Sequence, residues 1–200
     1  MIIEIGTSDF RTQAGLVDGV FIEPVKYYFD RMVEMANNTT KLITFRDRPL
    51  CHYENLAISD YEGEVDMVFM DDEQIDSQNL PLWVRGCNKM NEIHPSVKIL
   101  MQGRGEDGAY FTKQKVKVVR IKSIIDKYKI TELDLLKIDT EGHDCVILND
   151  YLNTVEVLPK VIQFESNELS DPKEVQKVVA RLKSLGYTCE QVKFDMLCRL

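Results

Sequence analysis

The sequence predicts an α/β fold: a doubly wound, mostly parallel sheet with an antiparallel strand at one edge. Three observations predict it. Short apolar runs alternate with segments of helical period, which is typical of parallel strands joined by crossover helices. The densest apolar run, residues 133–138, has the composition of a central parallel strand buried on both faces. The last two apolar runs are separated by a turn at Asp195, which predicts an antiparallel closing pair.

The first half of the chain contributes strands and one long helix. Ile2–Ile5 predicts a strand that ends at Gly6, and Gly19–Ile22 predicts a second strand, closed by Glu23 and a proline. Proline suits the first turn of a helix. The apolar residues that follow recur at helical spacing, and they are Val25, Tyr28, Phe29, Met32 and Ala36. Further strands are predicted over residues 51–58, 64–69 and 116–121.

The second half repeats the alternation. A short helix is predicted over residues 123–128, and the central strand after it ends at Asp139. A strand over residues 161–164 ends at Glu165. Asp171, with Glu174 at capping-box spacing, begins a helix over residues 172–185, which Gly186 stops. The two closing strands are predicted over residues 187–193 and 196–200.

The length of 200 residues predicts a single domain, residues 1–200. Residues 71–115 differ from the rest because they are rich in proline and glycine and show only weak periodicity. Long irregular segments inside a domain are usually functional or disordered. We therefore expect residues 71–115 to form an insertion or lid within the domain.

Composition limits the partners. The net charge of −8 disfavours non-specific binding to nucleic acid or to an anionic membrane, and we expect neither as a partner. The five cysteines are scattered, which favours reduced thiols over disulfides or a zinc site. The sequence shows no secretory signal and no apolar run near the roughly 20 residues that span a bilayer. We expect a cytoplasmic protein, and a homo-oligomer is compatible with the sequence.

Acids and a glycine stand where the predicted parallel strands end, which is where open α/β sheets bind their ligands. A glycine at position 6 lets the backbone pass close to a ligand. Glu23, at the end of the second strand, is placed to accept hydrogen bonds from both hydroxyls of a ribose. The other candidates around these strand ends are Glu4, Thr7, Ser8, Asp139, Glu141 and His143.

The acids favour one nucleotide-like ligand over another. A dinucleotide site requires G-x-G-x-x-G in the first turn, but Gly6 is followed by Thr7, Ser8 and Asp9. A carboxylate there would repel the pyrophosphate of NAD. S-adenosylmethionine carries no phosphate, and it offers ribose hydroxyls, an ammonium and a cationic sulfur. The acid-rich strand ends therefore favour S-adenosylmethionine as the cofactor.

The sequence also resembles a known family. Residues 135–144, which read LLKIDTEGHD, are similar to the signature of the FkbM-type methyltransferases. Three further stretches agree in order: IEIG at residues 3–6, FIEP at residues 21–24, and NLAISD at residues 55–60 with a Glu-Gly pair after it. Residues 118–125 resemble the family's strand-to-helix entry. The resemblance covers most of the chain from residue 2 to residue 165.

The resemblance implies a Rossmann-like sheet of the class I methyltransferase type and O-methylation of a hydroxyl on a small molecule or sugar. It implies that Gly6 approaches the cofactor and that Glu23 holds its ribose. It places Ala57, Ile58 and Ser59 by the adenine. By the same resemblance, Asp139 lies near the methionine end and the transferred methyl. The stretch before the second strand leaves room for a short first helix.

Methyl transfer to oxygen requires that a proton be removed from the acceptor. The candidates for the catalytic base are Asp139, Glu141 and His143. These three residues could also hold a divalent cation, but their spacing is not diagnostic, and we expect no metal. Two alternatives stay open at this point. One is a catalytically degenerate, methyltransferase-like binding module, and the other is a nucleotide-dependent sugar-modifying enzyme.

Overall fold

Eleven strands form two sheets within residues 1–7, 11–103 and 110–200, the parts of the chain that the computed structural model describes. The strands are β1 (Ile2–Ile5), β2 (Gly19–Ile22), β3 (Cys51–Glu54), β4 (Ala57–Ser59), β5 (Gly63–Phe69), β6 (Lys89–Met90), β7 (Thr112–Arg120), β8 (Leu135–Ile138), β9 (Val161–Glu165), β10 (Thr188–Val192) and β11 (Asp195–Arg199). The helices are α1 (Lys26–Thr40), α2 (Asp72–Ser77), α3 (Pro95–Leu100), α4 (Ile121–Tyr128), α5 (Asp144–Thr154) and α6 (Pro172–Ser184). Short 3₁₀ helices lie at Phe45–Asp47 and Leu82–Gly86.

The larger sheet has seven strands in the order β3-β2-β1-β8-β9-β11-β10. The first five are mutually parallel, and β11 is antiparallel to both of its neighbours. The predicted α/β sheet with an antiparallel edge is therefore confirmed. Its two faces are covered separately: Ile3 packs with residues of α4, α5 and α6, whereas Ile2 packs with residues of α1. Successive residues of a strand point to opposite faces, so this split produces the doubly wound arrangement.

The smaller sheet has four strands in the order β4-β7-β5-β6. Its apolar residues pack with Val25 and Tyr28 at the start of α1, which joins this sheet to the larger one. The single strand predicted over residues 51–58 is wrong, because β3 belongs to the larger sheet and β4 to the smaller one. Asn55 separates them: its side-chain amide donates to the backbone oxygens of Glu23 and Pro24, each at 2.9 Å.

Residues 71–115 contain more regular structure than their weak periodicity indicates. They hold α2, the second 3₁₀ helix, β6, α3 and the start of β7. The predicted insertion, residues 71–115, extends into β7, since residue 115 lies inside that strand. Asp71 and Gln74 form a complete capping box at the start of α2. The buried apolar side chains of residues 71–115 form a cluster with Met70, and the members from this part are Ile75, Leu80, Val84, Val97 and Met101.

The stretch between β1 and β2 leaves room for a short first helix, and its described residues form none. Residues 11–18 form a turn instead. The carboxylate of Glu4 accepts hydrogen bonds at 3.0 Å from the Thr12 hydroxyl and from the Gln13 amide, which holds this stretch as a loop. The other predicted elements are present, with ends displaced by a few residues. Among the described residues, no helix combines the length and the apolar character needed to cross a bilayer.

Candidate functional site

Four parallel strands of the larger sheet end at one edge. Ile5 is in register with Ile22 and with Ile138, and Ile138 is in register with Phe164. The residues that follow these strands are therefore brought together, as open α/β sheets require of a ligand site. A narrow cleft opens there. Its lining comprises Ile5, Gly6, Glu23, Pro24, Leu56, Ala57, Ile58, Met67, Gly86, Asn88, Met90, Asp139, Thr140 and Glu141.

Gly6 is required by the backbone that surrounds it. Its φ is +82°, and a Cβ placed on it would lie 1.8 Å from the carbonyl oxygen of Asp139. Only glycine permits this conformation and this approach. The amide of Gly6 donates to the Ile22 oxygen at 3.0 Å, and the amide of Asp139 donates to the Ile5 oxygen at 2.9 Å. The ends of β1 and β8 are thereby held in contact at the base of the cleft.

Glu23 lines the cleft from the end of β2, although its side chain is only 1% exposed. One carboxylate oxygen accepts the amide of Thr7 at 3.1 Å, and the other accepts the amide of Val25 at 2.8 Å. These bonds fix the Glu23 carboxylate at the end of β2, beside the turn that follows β1. Thr7 itself is buried, with its hydroxyl 3.0 Å from the sulfur of Met32, and it does not line the cleft.

Two other candidates of the first strand and turn have different outcomes. Glu4 lies on β1 away from the cleft lining, where it forms an ion pair with Lys137 at 2.8 Å and holds the loop before β2. Its role in the structure is to fasten that loop to the sheet. Ser8 lies outside the described residues.

Ala57 and Ile58 line the cleft from β4, together with Leu56 and Met67, and form its apolar wall. Ser59 is fully buried and is not part of the lining. Its hydroxyl lies 2.9 Å from the Nε2 atom of His143, which is also absent from the lining. Burial lowers the pKa of the His143 imidazole, which leaves it neutral and makes it a weaker base.

Three carboxyl groups meet at the ends of β8 and β9. Oxygens of Asp139, Glu141 and Glu165 lie within 4.8 Å of one another. Burial, followed by the charges of Glu141 and Asp139, raises the pKa of Glu165 from 4.5 to about 9. Its Oε1 accepts from the Asn167 amide at 2.6 Å, whereas its buried Oε2 has no hydrogen-bond partner among the described residues. Glu165 is therefore protonated at neutral pH, beside the two acids that line the cleft.

The turn after β8 is tightly held. Asp144 is buried, and one of its oxygens accepts from the Thr140 hydroxyl at 2.7 Å and from the Thr140 amide at 3.2 Å. Its other oxygen accepts the Glu165 amide at 2.9 Å. Burial raises the pKa of Asp144 to about 6, and these hydrogen bonds oppose the shift. Asp144 therefore connects the ends of β8 and β9 and stabilises the turn that carries Glu141.

Glu141 has a left-handed backbone, with a φ of +54°. Its Oε2 lies 3.0 Å from the Nε2 atom of His94, and its backbone oxygen accepts from Lys89 at 3.0 Å. Both partners belong to residues 71–115. The contacts join that segment to the end of the central strand, so Gly86 and Asn88 of the same segment complete the wall of the cleft.

Among the described residues, two groups of side chains have spacings that suit a metal ion. Neither group contains His143, so Asp139, Glu141 and His143 do not come together as a cation site there. One group is the carboxyl cluster of Asp139, Glu141 and Glu165. The other is Cys87, His94 and Glu141. Burial and the charges of Glu141 and Glu165 raise the pKa of the Cys87 thiol, which opposes the thiolate form that metals bind.

Glu165, Asn88 and His94 are among the residues of this region whose place at the site has no clear signal in the sequence. Glu165 was recognised only as an acid at a strand end. Asn88 and His94 lie in the weakly periodic segment, and no local pattern distinguishes them. Asn88 is 8% exposed; its side-chain NH₂ donates to the Arg85 oxygen at 3.0 Å, and its Oδ1 has no partner among the described residues.

The fold has a relative among solved structures. The crystal structure of the methyltransferase FkbM from Methylobacillus flagellatus KT superposes with a TM-score of 0.58 at 12% sequence identity. The match covers 100% of this chain and 43% of that one, so this chain spans less than half the length of that protein. At this identity the likeness concerns the fold alone, and it confirms the predicted class I methyltransferase type of sheet. No curated protein sequence matches significantly.

The family assignment comes from the sequence itself. Residues 6–189 match the methyltransferase FkbM domain. The matched range includes the strand ends, both walls of the cleft and the carboxyl cluster. The chain therefore belongs to the FkbM methyltransferase domain family.

Proposed function

We propose that this chain transfers a methyl group from S-adenosylmethionine to a hydroxyl oxygen of a small molecule or carbohydrate. One observation carries the proposal: in a chain of this family, Glu23, Asp139 and Glu141 line the same cleft at the carboxyl ends of parallel strands. Such a set of acids suits a ligand that combines ribose hydroxyls with positive charge and lacks phosphate.

The chemistry of the lining fits this cofactor. Glu23 places a carboxylate in the lining at the end of β2, which suits ribose hydroxyls, and the apolar wall of Leu56, Ala57 and Ile58 suits the adenine ring. Asn88 adds a buried acceptor atom without a described partner. An unsatisfied buried acceptor costs about 1–3 kcal/mol, and a ligand N–H or O–H donor would remove that cost.

The chain's own acids supply the proton chemistry. When bound, S-adenosylmethionine provides a methyl group on a cationic sulfur. Asp139 and Glu141 are the carboxylates that orient the acceptor hydroxyl and take up its proton as the oxygen–carbon bond forms. Glu165 is protonated at neutral pH and acts as a hydrogen-bond donor beside them. His143 takes no part, because its Nε2 contacts Ser59 and the ring lies outside the lining.

The direct test is transfer of an isotopically labelled methyl group from S-adenosylmethionine to a panel of small-molecule alcohols and sugars. We expect label on an acceptor oxygen and release of S-adenosylhomocysteine. Glu141→Gln should slow the transfer by about 10²–10⁴-fold, the usual contribution of a general base. Glu156→Gln is the matched control, since Glu156 is exposed and undergoes the same charge change.

Two other results would replace the proposal. Saturable cofactor binding without transfer to any acceptor would indicate the degenerate binding module. Preferential binding of NAD or of a sugar nucleotide would indicate the nucleotide-dependent enzyme. The acceptor class rests on the family resemblance together with the carboxylates of the cleft, which suit hydroxyl groups.

A further inference from the structure

His94 and Glu141 form an unusually protected side-chain contact. The His94 side chain is 4% exposed and that of Glu141 is 16% exposed, and their Nε2 and Oε2 atoms lie 3.0 Å apart. The two residues are 47 positions apart in the sequence. Glu141 belongs to the turn after the central strand β8. His94 is the N-cap residue of α3, within residues 71–115. The contact therefore ties two separate parts of the chain together at the cleft.

The hydrogen bonds of His94 determine its tautomer. Its Nδ1 accepts the backbone amide of Ser96 at 3.2 Å and so caps α3. A nitrogen that accepts a hydrogen bond carries no proton, so the proton of the neutral ring resides on Nε2. His94 must therefore donate this proton to the Glu141 carboxylate. In this tautomer Nε2 has no lone pair to offer a metal ion.

Glu141 needs to be held. A left-handed backbone at a non-glycine residue is uncommon and persists where its surroundings enforce it. The next residue, Gly142, is also left-handed, with a φ of +92°, and a Cβ on it would lie 2.8 Å from the Leu169 oxygen. Lys89 holds the Glu141 backbone through its oxygen, and His94 holds the side chain. The Oε1 atom of Glu141 makes no hydrogen bond to any residue the structure describes.

We propose that His94 is a positioning residue. It fixes the Glu141 carboxylate at the end of the ligand cleft where Asp139 also lies. The Nε2–H···Oε2 bond occupies one carboxylate oxygen and leaves the other for the ligand. The inference deepens the proposed function and rests on it, since it assigns Glu141 to the ligand. Lys89 assists by fixing the backbone of the same turn.

The test compares His94→Gln with His94→Leu. Both substitutions remove the Nδ1 acceptor that caps α3, whereas glutamine keeps a donor NH at the reach of Nε2 and leucine does not. The readout is the ratio of the affinities for S-adenosylmethionine and S-adenosylhomocysteine, measured by calorimetry. These ligands differ by one methyl group and one positive charge, so the ratio reports a correctly placed carboxylate without requiring an acceptor.

We expect the affinity ratio to fall at least about threefold in His94→Leu, which is the size of one charge interaction in a partly exposed site. In His94→Gln the ratio should return to the wild-type value. In a Glu141→Gln background, His94→Leu should cause no further fall, because the two residues act as a unit. An unchanged ratio in His94→Leu, or equal falls in both His94 variants, would overturn the proposal.

A second measurement does not depend on cofactor binding or on a folded variant. Nitrogen NMR of the histidine-labelled wild-type protein should show His94 with a protonated Nε2 and an unprotonated Nδ1 near neutral pH. Exchange between tautomers, or a proton on Nδ1, would overturn the positioning role. If the proposed function alone fails, neither ligand binds the wild type while the NMR result still holds.

Discussion

Substitution of Glu165 by glutamine tests the carboxyl cluster through the pH dependence of stability. The pKa of Glu165 is raised from 4.5 to about 9 in the folded chain, so the native state binds a proton more tightly than the unfolded state. Below the unfolded pKa of 4.5 this difference does not change the unfolding free energy. As the pH rises from there toward about 9, the unfolding free energy decreases because the unfolded state loses its proton first. Each pH unit within this interval lowers the unfolding free energy by at most about 1.4 kcal/mol.

Solvent screening of the partly exposed carboxyl reduces that upper limit. We expect Glu165 to lower the unfolding free energy of the wild type by about 1–2 kcal/mol between about pH 6 and pH 8. Glutamine has nearly the same shape and does not titrate, so Glu165→Gln should gain that amount relative to the wild type over the same interval. Urea unfolding at the two pH values measures the gain.

Glu156→Gln controls for the loss of one negative charge, because Glu156 is exposed on the surface. Its stability relative to the wild type should stay constant between the two pH values. The reasoning is refuted if Glu165→Gln behaves like this control. It is equally refuted if the variant loses stability relative to the wild type as the pH rises.

Two further predictions concern the base of the cleft. Gly6 and Gly103 have almost the same φ, +82° and +80°. A Cβ on Gly6 would meet the Asp139 oxygen at 1.8 Å, whereas one on Gly103 meets no atom of the described residues within 4 Å. Gly6→Ala should therefore destabilise the chain by about 3–5 kcal/mol and Gly103→Ala by about 1 kcal/mol. Thermal unfolding measures both, and equal shifts of the two variants would contradict the close approach at Gly6. Glu23→Gln removes a charge and one of two acceptors for backbone amides, so it should weaken S-adenosylmethionine binding at least about tenfold and lower stability by about 1–3 kcal/mol. Calorimetry that finds unchanged affinity would remove Glu23 from the ligand site.

Much of the larger sheet could be predicted from the sequence because its signals are local. The strands at Ile2–Ile5 and Gly19–Ile22 were predicted with their observed limits, and the helix after Asp171 carries its own cap. The smaller sheet could not be predicted. Its strand β6 has only two residues, and the break at Asn55 depends on hydrogen bonds to residues about thirty positions away.

The candidate site divides in the same way. Glu23 and Asp139 follow recognisable strands, so their convergence at one sheet edge follows from parallel pairing. The positions of Thr7 and Ser59 relative to the cleft depend on which way each buried side chain points. Strand-end reasoning does not give that direction. His94 reaches Glu141 through the irregular segment, and no local spacing indicates a contact of that range.

The proposed function requires that the cleft between Glu23 and Glu141 bind S-adenosylmethionine. Calorimetric titration of the wild-type chain with S-adenosylmethionine, S-adenosylhomocysteine and NAD tests it most directly. We expect saturable binding of the first two ligands, with dissociation constants of roughly micromolar order (a binding free energy of about −8 kcal/mol), and no binding of NAD. Binding of NAD alone, or of none of the three, would contradict it.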